Sequence, residues 1–189
     1  MKDKIIQDIQ DNIRVKQALL DTQVPLIEKA ARIVFNCIKN GNKLIFFGNG
    51  GSASDSQHLA AEFVGRYGSE RRALPAIAFT TDTSILTAVG NDYGYEKVFE
   101  RQIEALGKKG DVAFGISTSG NSKNVLFGIT KARELGLTTI GFSGRSGGAL
   151  HPLVDISIVV PSQKTSRIQE SHILIGHIIC ERVDELLQA

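Results

Sequence analysis

The stretch Leu44–Arg66, LIFFGNGGSASDSQHLAAEFVGR, decides the fold. Leu44-Ile45-Phe46-Phe47 is an apolar run of strand length and reads as a buried β-strand. Gly48-Asn49-Gly50-Gly51-Ser52 is a glycine-rich turn, and the residues after it carry a helical pattern. A strand, a glycine turn and a helix start together make an anion-binding device. The turn's backbone N–H groups and the positive helix end point the same way. His58 and Glu62 lie four apart, on one face of that helix. A metal ion or a proton-transfer reaction uses a histidine and a carboxylate so placed. The stretch alone therefore predicts chemistry on a phosphorylated substrate.

The flanking sequence extends this unit in both directions. Residues 3–20 carry Ile6, Ile9, Ile13 and Leu20 at helical spacing. Asp21 to Pro25 breaks that helix, with Asp21 or Thr22 expected to cap a second one reaching about Asn40. Two helices before the first strand exceed what a minimal α/β unit needs, so this hairpin packs either on a neighbouring subunit or on its own sheet. Beyond Arg66, strands are expected at Pro75–Phe79, Asp111–Ile116, Leu137–Phe142 and Asp155–Val160. Helices are expected at 83–89, ended by Gly90, and at 96–105, 123–135 and 166–187, with Asn91–Gly94 as a loop. Near-continuous apolar strands alternating with helices predict an α/β fold: one three-layer domain over residues 1–189, with a five-stranded parallel sheet flanked by helices and an N-terminal helical hairpin over 1–40. Ligands of such sheets bind beyond the carboxyl ends of the strands.

A second polar loop leaves a strand end at Ser117-Thr118-Ser119-Gly120-Asn121-Ser122, with four hydroxyls and no cation. Neutral donors at a helix start suit a phosphate that stays bound without being transferred, since phosphoryl transfer wants a lysine and a metal at the phosphates. The glycine turn lacks the dinucleotide fingerprint, because Ala53 stands where its third glycine belongs. Among the histidines, His151 reads as a surface residue and His172 as structural. Gln169 and His177 are eight apart on the last helix, about 12 Å of rise, so they share one ion only by reaching toward each other or by coming from different chains. That helix is apolar over a wide arc, which favours burial in an oligomer.

Bulk properties exclude several classes. A net charge of +2 and the absence of tryptophan argue against a nucleic-acid surface. Arg71-Arg72 and Lys108-Lys109 read as solvated loop charges. Cys37 and Cys180 fall in apolar helical segments and read as buried free thiols. No run approaches a membrane span, and the first residues fit no export signal, so a cytoplasmic location is expected.

Phe47–Ser52, Gln57-His58-x-Ala60-Ala61-Glu62, Gly65-Arg66-Tyr67, Val89-Gly90-Asn91-Asp92, Gly115–Ser122 and Arg167-Ile168-Gln169-Glu170 together resemble the bacterial phosphoheptose isomerases, of the sugar-isomerase (SIS), flavodoxin-like fold class. The resemblance covers nearly the whole chain. It implies isomerisation of sedoheptulose 7-phosphate to D-glycero-D-manno-heptose 7-phosphate through an enediol, by a homotetramer with active sites between subunits. It implies zinc held by His58, Glu62, Gln169 and His177, phosphate held by Ser52, Ser117, Thr118, Ser119 and Ser122, and sugar contacts near Asn49, Gly50, Gly51, Asn91, Asp92 and Gln169. Glu62 and His177 are the implied catalytic acid/base pair. Some members carry Asp where this chain has Ser166. The alternative is a non-catalytic SIS paralogue that binds a protein such as a replication initiator. That paralogue lacks the acid at position 62 and the histidine at 177, both present here.

Overall fold

The computed structural model describes residues 1–188. Two helices come first, α1 (Lys2–Thr22) and α2 (Val24–Lys39), followed by β1 (Leu44–Gly48) and α3 (Gly51–Val64). Then come β2 (Ala76–Ala78), α4 (Thr83–Tyr93), α5 (Val98–Leu106), β3 (Val112–Ile116) and α6 (Lys123–Glu134). The chain closes with β4 (Thr138–Gly144), β5 (Ile156–Val160) and α7 (Thr165–Gln188). The five strands form one sheet in the order β2-β1-β3-β4-β5, and every pairing is parallel. The expected three-layer α/β architecture is what the chain adopts. The order reverses between β1 and β3, so their carboxyl ends open on one crevice.

Side-chain alternation along the strands splits the core in two. Phe46, Phe114 and Phe142 face α2, α3 and α7, with the Phe46 and Phe114 rings stacked at 4.6 Å. Phe47 faces the opposite way, packing on Phe99 of α5 at 5.2 Å. Ile27, Ala30, Ala31, Val34 and Ile38 of α2 are all buried, as their spacing predicts. Cys37 and Cys180 are buried free thiols. No described helix is long and apolar enough to cross a membrane.

The expected N-terminal helical pair is present. The break is the single residue Gln23, whose side-chain carbonyl accepts from Val159 N–H on edge strand β5 at 3.1 Å. Thr22 caps nothing: its hydroxyl donates back to Ala18 O at 2.8 Å. From there α1 and α2 meet α7 in series. Asn12 donates to Glu170 at 2.5 Å and Lys16 to Ser171 Oγ at 2.9 Å, while α2 packs on the later part of α7. Apart from Leu19, α1 buries no residue, and Ile5, Ile9, Ile13 and Leu20 are each more than half exposed.

Two further expectations are corrected. Asn91–Gly94 is not a loop: α4 runs through Gly90 to Tyr93 and stops at Gly94, where φ is +89°. Asp82 caps its start by accepting from Ile85 N–H at 2.9 Å. One interior glycine costs only about 1 kcal/mol of helix propensity, which this cap offsets. Asn91 and Asp92 therefore sit on the last turn of α4, exposed, and Asn91 donates to Asp92 at 2.8 Å. Arg71 is not a solvated loop charge. Its side chain is 9% exposed and pairs with the 6% exposed Asp184 at 2.6 Å.

Candidate active site

The crevice is floored by the two polar loops. Gly50 takes φ +56°, a left-handed value that turns the chain from β1 into α3. Asn49 and Asn124 exchange reciprocal amide hydrogen bonds at 2.9 and 2.8 Å, tying the glycine turn to the start of α6. Ser117 is buried, and its hydroxyl lies 3.0 Å from that of Ser122. Ser122 occupies the N-cap of α6 without spending its side chain on the helix. Thr118 and Ser119 are half-buried beside it, and Gly120 turns the loop at φ +67°. Ser52 is buried in the first turn of α3. Two helix N-termini and five hydroxyls thus open onto neighbouring strand ends, a neutral cradle for a tetrahedral anion.

A second group forms where α3 meets α7. His58 Nε2 lies 3.0 Å from Glu62 Oε1 and 3.3 Å from His177 Nε2. The ligand atoms of all three residues fall within 4.8 Å of one another. Three lone-pair donors converge on one point, and a single proton on His58 Nε2 does not satisfy both neighbours. Two imidazole nitrogens and a carboxylate oxygen are a donor set that a divalent transition ion fits. Tyr67 covers the group, its ring 5.6 Å from that of His177.

Gln169 lies elsewhere on α7. Its amide packs against Gly51, where a Cβ on residue 51 would overlap it. It faces the glycine turn, eight residues up the helix from His177. Asn91 and Asp92 make no hydrogen bond to either loop. Instead Tyr95 Oη, just beyond α4, donates to Asn49 Oδ1 at 3.5 Å.

Two residues belong to the site's surroundings that sequence reasoning passed over, Asp55 and Asn124. Asp55 lies one turn before His58 on α3, which the D-x-x-H-x-x-x-E spacing announces. Its Oδ2 is buried without a hydrogen-bond partner among the described residues, and burial pushes its carboxyl up to about 6, against the attraction of His58. Asn124 has no local signal, because its role depends on Asn49. His172 was expected to be structural, and it is fully buried, donating from Nε2 to Ser143 O at 3.0 Å.

Residues 9–144 match the SIS domain family. A phosphoheptose isomerase of Aquifex aeolicus is 54% identical over 187 residues, covering 99% of this chain and 98% of the relative. Among solved structures, a phosphoheptose isomerase from Francisella tularensis superposes with TM-score 0.94 at 38% identity, covering 97% of each chain. Its counterpart from Neisseria gonorrhoeae gives 0.92 at 42%, covering 97% of this chain and 98% of that one. These matches run through both polar loops and through the helices that carry His58, Glu62 and His177, and the chain belongs to the SIS-domain proteins and, within them, to the phosphoheptose isomerase family.

Proposed function

We propose that this chain isomerises sedoheptulose 7-phosphate to D-glycero-D-manno-heptose 7-phosphate, supplying heptose for a lipopolysaccharide core or a related surface glycan. The observation that carries the reading is the convergence of His58, Glu62 and His177 beside a neutral phosphate cradle. The cradle's hydroxyls and helix N-termini (Ser52, Ser117, Thr118, Ser119 and Ser122) hold the 7-phosphate as an anchor. Asn49, Gly50 and Gly51 face the sugar, with Gln169 over the turn and Asn91 and Asp92 as further hydroxyl contacts. Glu62 takes a proton from C1 of the ketose, that proton exchanges with solvent while it is on the carboxyl, and one proton is returned at C2, with the C1–C2 enediol between. His177 moves protons between the C1 and C2 oxygens, so the two transfers leave the atom count unchanged. Zinc, held by His58, Glu62 and His177 of one copy with Gln169 of another copy as a fourth ligand, would supply Lewis-acid polarisation of the carbonyl.

The exposed apolar stripe of α1 supports burial against further copies of the chain, in a homotetramer whose sites lie between subunits. That assembly gives Asn91 and Asp92 of one copy access to another copy's crevice. Free buried thiols accord with a cytoplasmic location. The experiment is incubation of zinc-loaded protein with sedoheptulose 7-phosphate, followed by NMR. Appearance of the aldose 7-phosphate supports the reading. Folded, zinc-loaded protein that forms no aldose rejects it in favour of a non-catalytic paralogue.

A further inference from the structure

Arg71 lies outside the crevice, yet it reaches both helices that build the metal-capable group. Its Nη2 donates to Glu62 O and its Nη1 to Phe63 O, each at 2.9 Å, with a weaker Nη1 bond to Gly65 O at 3.4 Å. Glu62 O and Phe63 O are last-turn carbonyls of α3, which have no partner within the helix, and Gly65 is the residue that follows it. The Nε of the same guanidinium donates to Asp184 Oδ1 on α7 at 2.6 Å, and Asp184 Oδ2 accepts from Gly68 N–H at 3.3 Å. Asp184 stands seven residues after His177, two turns along the same helix face. One planar fork therefore grips the backbone of Glu62 on one side and the helix of His177 on the other. Only arginine has the donors to span both, and both charges are nearly sealed from solvent.

We infer that Arg71, with Asp184, is a positioning residue for the His58–Glu62–His177 group: it sets the separation of α3 and α7 at which the three ligand atoms meet. The inference rests on the proposed function insofar as that group binds a metal and turns over substrate. Burial of the pair gives the clamp its selectivity. A buried carboxylate left without its guanidinium draws in water or another donor, and α7 shifts to supply it. A surface pair would leave the helices where they are.

The test is a titration of the metal-free protein with Co²⁺, read by its visible spectrum, alongside circular dichroism, with kcat and KM for sedoheptulose 7-phosphate. Arg71→Gln and Asp184→Asn are each expected to weaken Co²⁺ binding tenfold or more and to alter the spectrum. The double variant should be no worse than either single one, and kcat should fall more than KM changes. Arg71→Lys keeps the charge opposite Asp184 while losing the fork. It is expected to fold and to show the same spectral change at smaller loss of affinity. Variants that fold and bind Co²⁺ as wild type does, with an unchanged spectrum, overturn the positioning role and leave the proposed function standing. Wild-type protein that neither binds Co²⁺ nor forms aldose overturns the proposed function first, and the clamp's purpose with it.

Discussion

Gly176 of α7 packs directly on Leu59 of α3, and replacing it with alanine separates two opposing effects. A Cβ at residue 176 would lie 2.5 Å from Leu59 Cδ2 and 2.8 Å from Leu59 Cδ1. Ordinary carbon contact is about 3.5–4.0 Å, so Leu59 or the helices must give by about 1 Å. Both residues are buried, and each flanks a histidine of the site: Leu59 follows His58 and Gly176 precedes His177. A shift of about 1 Å on a 3.3 Å His58–His177 separation removes the convergence of donors. Helix propensity pulls the other way, since alanine is favoured over glycine by about 1 kcal/mol. Overpacking a tight core costs about 1–3 kcal/mol, so Gly176→Ala should be neutral to about 2 kcal/mol destabilised. Urea denaturation and competition with a chromogenic zinc chelator read the two consequences. The expected result is zinc affinity reduced tenfold or more, partly recovered in Gly176→Ala/Leu59→Ala, where the added methyl occupies vacated space. A single variant that is about 1 kcal/mol more stable and binds zinc as wild type does would refute the reasoning, because propensity alone would then be acting.

The other predictions concern neighbouring groups. Burial lowers His172 to about 4 from its usual 6.5, and the unfolded chain therefore binds the extra proton between these values. Its contribution is complete above pH 6.5 and is lost as pH falls toward 4, by about 3 kcal/mol. Asp55, raised to about 6, acts in the opposite direction over nearly the same window, so the measurement is the difference in urea stability between wild type and His172→Gln at pH 7 and 4.5. A difference that does not change with pH would remove His172 as the source. Gly51→Ala puts a Cβ on the mobile end of Gln169 and should leave the melting temperature nearly unchanged while weakening sugar-phosphate binding. Unaltered substrate affinity would show that Gln169 has no part at the glycine turn. Treatment of the wild type with a chelator should abolish turnover, and added zinc should restore it; activity that survives complete metal removal would reject the metal's role.

The layers of the fold were legible because the strands and buried helix faces repeat locally. The run at Leu44–Phe47 and the α2 stripe from Ile27 to Ile38 need no distant partner to be recognised. The cradle loops were legible for the same reason, since each is contiguous. Misreadings came where a distant or competing group decides. Arg71 resembles any loop arginine until Asp184, 113 residues later, is placed beside it. Gln23 breaks the N-terminal pair because β5 offers it a backbone N–H, which local propensity does not contain. Gly90 looked like a stop signal, but the Asp82 cap carries α4 past it and turns Asn91 and Asp92 into helical residues. The eight-residue spacing of Gln169 and His177 was informative: in one chain they serve two places, the glycine turn and the histidine–carboxylate group.

The central claim is that Glu62, held among His58 and His177, carries the proton between C1 and C2. Its most direct test is ¹H NMR of sedoheptulose 7-phosphate incubated in D₂O with wild type and with Glu62→Gln. The expected result is deuterium at C2 of the aldose and at C1 of the recovered ketose with wild type. Glu62→Gln should show neither, while still binding the sugar phosphate. Solvent exchange by Glu62→Gln at the wild-type rate would contradict the account.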